Sequence, residues 1–300
     1  MADFKFDTYE EQTPELMEEK RSSGFKKGLL VTLIVCLVVG LGTYLISAAI
    51  FGAKVKEEQE QGEEIPITNE SVKILYENVT YGVRGTRNDK FLKEQSVTLN
   101  SFSNYEKFYY ALQYSLPGDV YQTGQKDSKG NKIYRLPTSK IDSYMKEFFG
   151  PNVTYTFENS LNYTFLYSIE GNNVGRMTYN QANNAYDIVF DSNLGIIKND
   201  NLVNEYYTKL YKAYVLEDNT LKIEEKVIFT SLTQNQDFYS LAIYKDNGHT
   251  NLIEQKGNMS KDEIQALNLS VDNYITKAAT VSYYFKVSGN SYYFDHSTIS

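Results

Sequence analysis

An α+β chain is predicted, with an N-terminal transmembrane helix followed by an extracytoplasmic region of helices packed on curved antiparallel sheets. Three observations predict it. The 26 residues between Lys27 and Lys54 carry no charge. Apolar positions recur at helical spacing in three segments between residues 69 and 149. Beyond residue 200, alternating runs rich in Tyr, Phe, Val and Ile are separated by Asn, Asp and Gly turns.

The uncharged run comes first. At about 1.5 Å per helical residue it reaches about 39 Å, against about 30 Å for the hydrocarbon core of a bilayer, so residues 28–53 are expected to span with some tilt. The competing reading is a cleavable signal peptide, with Ser47 and Ala49 as small cleavage-site residues. A signal core of about 7 to 15 residues is much shorter than this run. Val35 before Cys36 departs from the small residue of a lipoprotein box. Lys20, Arg21, Lys26 and Lys27 precede the run, whereas Lys54 and Lys56 alone follow it closely before an acidic stretch. Basic flanks stay inside, which predicts a cytoplasmic tail at 1–27 and a cell-membrane, single-pass protein with its C-terminus outside.

The tail is too short for a domain. Thr13, Pro14 and the acid-to-base order of Glu15 to Lys20 suit one short helix; the tail reads first as a solvated segment, with a docking peptide using Phe4, Phe6, Tyr9 and Leu16 as the alternative. Residues 54–65 read as an acidic stalk. An α+β extracytoplasmic domain is expected over 66–200 and a β-rich one over 201–300.

In the first domain, Val72, Leu75, Tyr76 and Val79 form a helical stripe capped by Asn69 or Ser71. A second helix is predicted over 103–116, stopped by Pro117-Gly118, and a third over 139–149, stopped by Gly150-Pro151. A hairpin at 120–123 and 132–136 lies between them. Strands at 163–170, 174–179 and 186–190 follow. The polar stretch 191–204 marks the boundary.

In the second domain, strands 206–216 and 221–230 flank Glu217-Asp218-Asn219-Thr220. Closing that loop sets Leu216, Tyr214 and Leu210 opposite Leu221, Ile223 and Val227, and Lys212 opposite Glu225. A strand at 238–244, a turn at 246–248 and a helix opened by the capping box Ser260 to Glu263 come next. The last hairpin, 281–287 with 291–298, turns at Gly289-Asn290. It places Tyr283, Phe285 and Val287 on one face with Tyr292, Phe294 and His296, and Tyr284, Lys286, Tyr293 and Asp295 on the other, with Phe285 opposite Phe294 and Tyr284 opposite Asp295.

On this layout, the chain resembles uncharacterised single-pass surface proteins of low-GC Gram-positive bacteria. The helix-first order and closing Tyr- and Phe-rich hairpin over 66–300 resemble cystatin-like and nuclear-transport-factor-2-like modules. That resemblance implies binding proteins and enzymes alike, among them assembly subunits of secretion or conjugation machines.

Residue chemistry excludes more than it assigns. Cys36 is the single cysteine, inside the run, so the outer part has neither a disulfide nor a thiol nucleophile. Six Asn-x-Ser/Thr sequons suggest a glycosylated ectodomain, but they arise readily in an Asn-rich chain, and a low-GC bacterial source is favoured. Ser143 and Lys146 have the spacing of a Ser-x-x-Lys nucleophile without its accompanying motifs, and read as an exposed helix face. His249 is expected in a solvent-exposed turn beside Asn247-Gly248; His296 is the other candidate base, expected on the apolar face. Two histidines are few for zinc. Asp191 opens a calcium-like loop whose closing acidic position is Leu202. No glycine-rich phosphate loop occurs, and no cofactor or metal is expected. After the tail's five basic and seven acidic residues are removed from 30 and 38, 25 and 31 remain, a net of −6, which argues against nucleic acid.

Tyr occurs 27 times and Trp never. Adjacent pairs such as Tyr283-Tyr284 and Tyr292-Tyr293 put one ring on each strand face, so Tyr284, Tyr293, Lys286 and Asp295 are the candidate interaction surface. The expected function is a membrane-anchored extracytoplasmic binding or scaffolding protein of the bacterial envelope, with a protein or polysaccharide partner. The alternative is an envelope hydrolase or transferase acting on cell-wall or surface glycans.

Overall fold

The computed structural model describes residues 62–80, 89–191, 201–289 and 291–300. The predicted tail, the predicted span at 28–53, residues 54–61 of the stalk, most of the 191–204 boundary and Asn290 lie outside them; the rest of the stalk enters the larger sheet as a short strand over Glu63–Ile65. The chain over the described residues is mixed α+β with two antiparallel sheets, and no helix among them is long and apolar enough to cross a membrane.

Five short helices form among the described residues: α1 (Glu70–Thr80), α2 (Lys90–Lys93), α3 (Asn104–Ala111), α4 (Thr138–Phe149) and α5 (Lys261–Ala266). Local chemistry explains their starts. Asn69 Oδ1 accepts from the Ser71 amide at 2.9 Å. Ser103 with Glu106, and Ser260 with Glu263, close reciprocal capping boxes. After Ala111 the helix tightens to a 3-10 turn at Leu112–Tyr114, so the predicted second helix is shorter than its apolar pattern.

The smaller sheet is β3 (Tyr121–Lys126), β4 (Lys132–Pro137), β5 (Ser160–Ile169), β6 (Asn172–Asn180) and β7 (Ala185–Phe190), ordered β3-β4-β7-β6-β5. Gly175 marks its tightest approach: a Cβ there would stand 2.7 Å from Ile188 and 3.1 Å from the Phe165 ring. The larger sheet contains β1 (Glu63–Ile65), β2 (Ser96–Thr98), β8 (Tyr206–Val215), β9 (Leu221–Asn235), β10 (Phe238–Tyr244), β11 (Leu252–Met259), β12 (Ala279–Ser288) and β13 (Ser291–Ile299). Its main order is β1-β8-β9-β12-β13-β2, and β10 with β11 extends from the far half of β9. β1, β2, α2 and β11 escaped sequence reading, being too short or too polar to show a period.

Two registers differ from expectation. In β8–β9 the Leu216 amide donates to Thr220 O at 2.8 Å and Asn219 takes φ 62°, so Thr220 closes the hairpin around a three-residue loop. Val215, Ala213 and Lys212 then face Leu221, Ile223 and Glu224, and beyond an irregularity Leu210 faces Glu225. Lys212 approaches Glu64 at 3.4 Å instead of Glu225. Glu225 turns into the core, fully buried, where the hydroxyls of Tyr76 and Tyr283 donate to it, the latter at 2.8 Å. In β12–β13 Phe285 faces Phe294 as expected, but Tyr284 faces His296 because a bulge inserts Asp295.

One core draws on both sheets and on α1 to α4. At its centre the Phe91 ring meets Phe102, Tyr110, Tyr283 and Phe294 edge-on, at centroid distances of 6.1, 5.7, 5.4 and 5.4 Å. A second cluster, including Ile228, Leu241, Ile243 and Ile264, covers the other face of β9. Val227, Ile228 and Phe229 are thus buried on both faces of one strand, which accounts for that unbroken apolar run. Phe91→Ala is expected to cost about 3–5 kcal/mol in denaturant unfolding, whereas Ile74→Ala, at a half-exposed site, should change stability by about 0.5 kcal/mol or less. Similar losses at both would show that Phe91 does not hold the core.

Candidate functional site

The bulge at Asp295 builds the candidate surface. By adding a residue to β13 it moves His296 from the Phe285 face to the Tyr284 face, contrary to the expected placement. Lys222 of β9, Tyr284 of β12 and His296 of β13 then form one cross-strand row. The Tyr284 and His296 rings stack at 4.2 Å with planes 8° apart. Lys222 Nζ stands 5.7 Å from the Tyr284 centroid and 3.1 Å from Glu224. Tyr284 is therefore 9 % exposed, a covered ring and not an outward one.

Two of the other predicted residues join this row. Lys286 Nζ and His296 Nδ1 each lie 2.8 Å from a different oxygen of Asp295. Burial pushes the Asp295 carboxyl up, but the hydrogen bonds and charges of Lys286 and His296 outweigh it and hold the group below its ordinary value. The same Asp295 bond raises Lys286. With Nδ1 held by a carboxylate and the ring plane fixed by stacking, Nε2 is the imidazole atom left to meet a ligand.

Tyr293 goes elsewhere. Its ring lies over Gly150, the φ +84° residue closing α4, where a Cβ would come within 2.6 Å of it. Gly150→Ala should therefore destabilise the fold through both backbone strain and ring displacement, by about 2 kcal/mol or more in thermal or denaturant unfolding. A neutral substitution would show that the ring moves freely.

Sequence reading missed Lys222 and Glu224, although their alternation with Leu221, Ile223 and Glu225 was the available signal. Ser143 and Lys146 are exposed on α4, and Ser143 Oγ donates to the Ser139 carbonyl at 3.1 Å. His249, exposed with φ 55°, stacks on Tyr244 at 4.6 Å. The calcium-like loop lies mostly outside the described residues. Among those described, no group of three His, Cys, Asp or Glu side chains is placed to hold a metal. An open cleft of about 250 Å³ is lined by residues including Asn201, Asn204 and Leu232, far from the Asp295–His296 pair along β9 by strand order.

No family model, curated protein or solved structure matches the chain.

Because Asp295 is depressed in the folded state, its contribution is complete above the ordinary value of 3.8 and is lost as pH falls through the lower folded value. Asp295→Asn should therefore cost about 1–2 kcal/mol near neutral pH, and the gap to the parent should close in strong acid. Denaturant midpoints measured at both pH values check this, and a gap independent of pH would refute it.

Proposed function

We propose that this protein is anchored in the bacterial cell membrane by residues 28–53, with its tail inside, and that the region outside binds or scaffolds an envelope partner, protein or polysaccharide. The anchor rests on the uncharged run and its basic inner flank. The observation that carries the binding reading is the filled interior: large rings such as Phe91, Phe108, Phe148 and Tyr186 are fully buried, and polar chemistry is displaced to the opposite face at Glu224, Asp295 and His296, with Lys222 buried beneath them. Exposed Tyr121, Tyr211 and Phe238 add contact area of the kind used at protein interfaces.

A hydrolase or transferase is the second reading, and one observation favours it. Asp295 holds His296 through Nδ1, the arrangement that orients a general base. A photocrosslinker at Thr298, exposed two residues beyond His296 on β13, in native cells separates the two: the binding reading expects one recurrent macromolecular adduct, whereas turnover of surface glycans lost in His296→Gln without adducts would favour the enzyme.

In cells stripped of any outer barrier, external protease should remove an epitope at residue 300 and spare one at residue 1. The opposite protection would overturn the topology.

A further inference from the structure

We propose that the tip of the terminal hairpin, at Lys286 to Ser288 and Ser291, rests on the zwitterionic headgroup surface of the membrane that anchors the chain. The inference depends on the anchor reading above and is carried by strand directions. Glu63, Val215, Leu221, Phe285 and Phe294 form one continuous row across β1, β8, β9, β12 and β13. β1 runs parallel to β9, and β12 runs antiparallel to it. Gly62, the Glu217 to Thr220 turn and the tip of the last hairpin therefore all lie beyond the same end of that row.

Length sets the distance. Residues 54–61 separate the uncharged run from Gly62, and eight residues extend about 28 Å at most, or about 12 Å if helical. Gly62 is seated against Val215 and Leu216, and β1 is three strand spacings, about 14 Å, from β12. The hairpin tip is thus tethered to the bilayer at high effective concentration, where a weak contact suffices. Its residues suit an interface: Val287 is 46 % exposed, Lys286 is exposed, and Tyr292 is half-buried beside them. Glu217 and Asp218 at this end disfavour anionic lipid, which is why zwitterionic headgroups are specified. Phe238, opposite Asn235 at the other end of β9, stands about 46 Å further along that strand.

Full-length Cys36→Ser protein carrying a bimane at Val287→Cys, Ser288→Cys, Phe238→Cys or Leu41→Cys, in phosphatidylcholine nanodiscs containing headgroup- or chain-nitroxide lipid, tests this. Loss of emission at 287, 288 and 41 with retention at 238 is expected. Retained emission at 287 and 288 with loss at 41 would overturn the tip contact while leaving the anchor intact. Loss at 238, alone or together with 287, would overturn the orientation. Retention at 41 would remove the anchor and the inference with it.

Discussion

The two sheets share no strand, and the join between them is made by aromatic rings. Phe294 of the terminal strand meets Phe91, Phe102, Phe148 and Phe285 at 5.4, 5.8, 5.9 and 6.2 Å, while Phe108 of α3 meets Tyr186 of the smaller sheet at 5.8 Å. Helices α3 and α4 are the material between. Edge-to-face ring pairs add about 0.5–1.5 kcal/mol each beyond their burial and restrict orientation as well as distance. Because Phe294 is seated this way, β13 has one allowed face toward the core, and the extra residue at Asp295 must be taken up on the outside.

Glu225 applies the same constraint from the opposite chemistry. A carboxylate in a core is costly unless its oxygens accept hydrogen bonds, and here the acceptors are used by hydroxyls of α1 and β12. A shift of one residue in β9 would move Glu225 outward, bring Glu224 or Lys226 into its place and turn Lys222 toward the core in exchange for Leu221 or Ile223. The buried tyrosine hydroxyls therefore make the correct register the one in which α1 is docked. Helix position and strand register are two consequences of one polar contact.

Elements with strong local chemistry were legible in the sequence. The cap at Asn69, one of the two residues proposed for it, the capping box at Ser260, the helix start at Ser103, the stop at Gly150 and the Phe285–Phe294 pairing all appear where residue type and period put them. Register beyond a turn was not legible. Whether Thr220 belongs to the loop or closes the hairpin depends on Asn219 adopting a left-handed conformation, which the loop composition permits without requiring. The bulge at Asp295 was hidden for a related reason: Phe294, Asp295 and His296 preserve an apparent alternation, and only the simultaneous burial of Phe294 and Ser297 breaks it. Of the candidate surface, Lys286 and Asp295 were found together; Lys222 and Glu224 arrive from a strand more than sixty residues away in sequence, where a period-two charge pattern reads as ordinary solvated surface.

The consequence for function is that outer-face chemistry is set by core packing. His296 meets Tyr284 because Phe294 cannot leave its ring cluster, and Asp295 reaches both Lys286 and His296 because the bulge gives it no cross-strand partner of its own. A substitution that removed the bulge would return His296 toward the apolar face in place of Ser297, where its nitrogens would compete with Glu225 for the buried hydroxyls. The Asp295–His296 pair is thus stable on the surface for steric reasons that involve no ligand. Its availability to a partner at Nε2 follows from the fold, and evolution of a binding or catalytic role at that atom would need no change to the core.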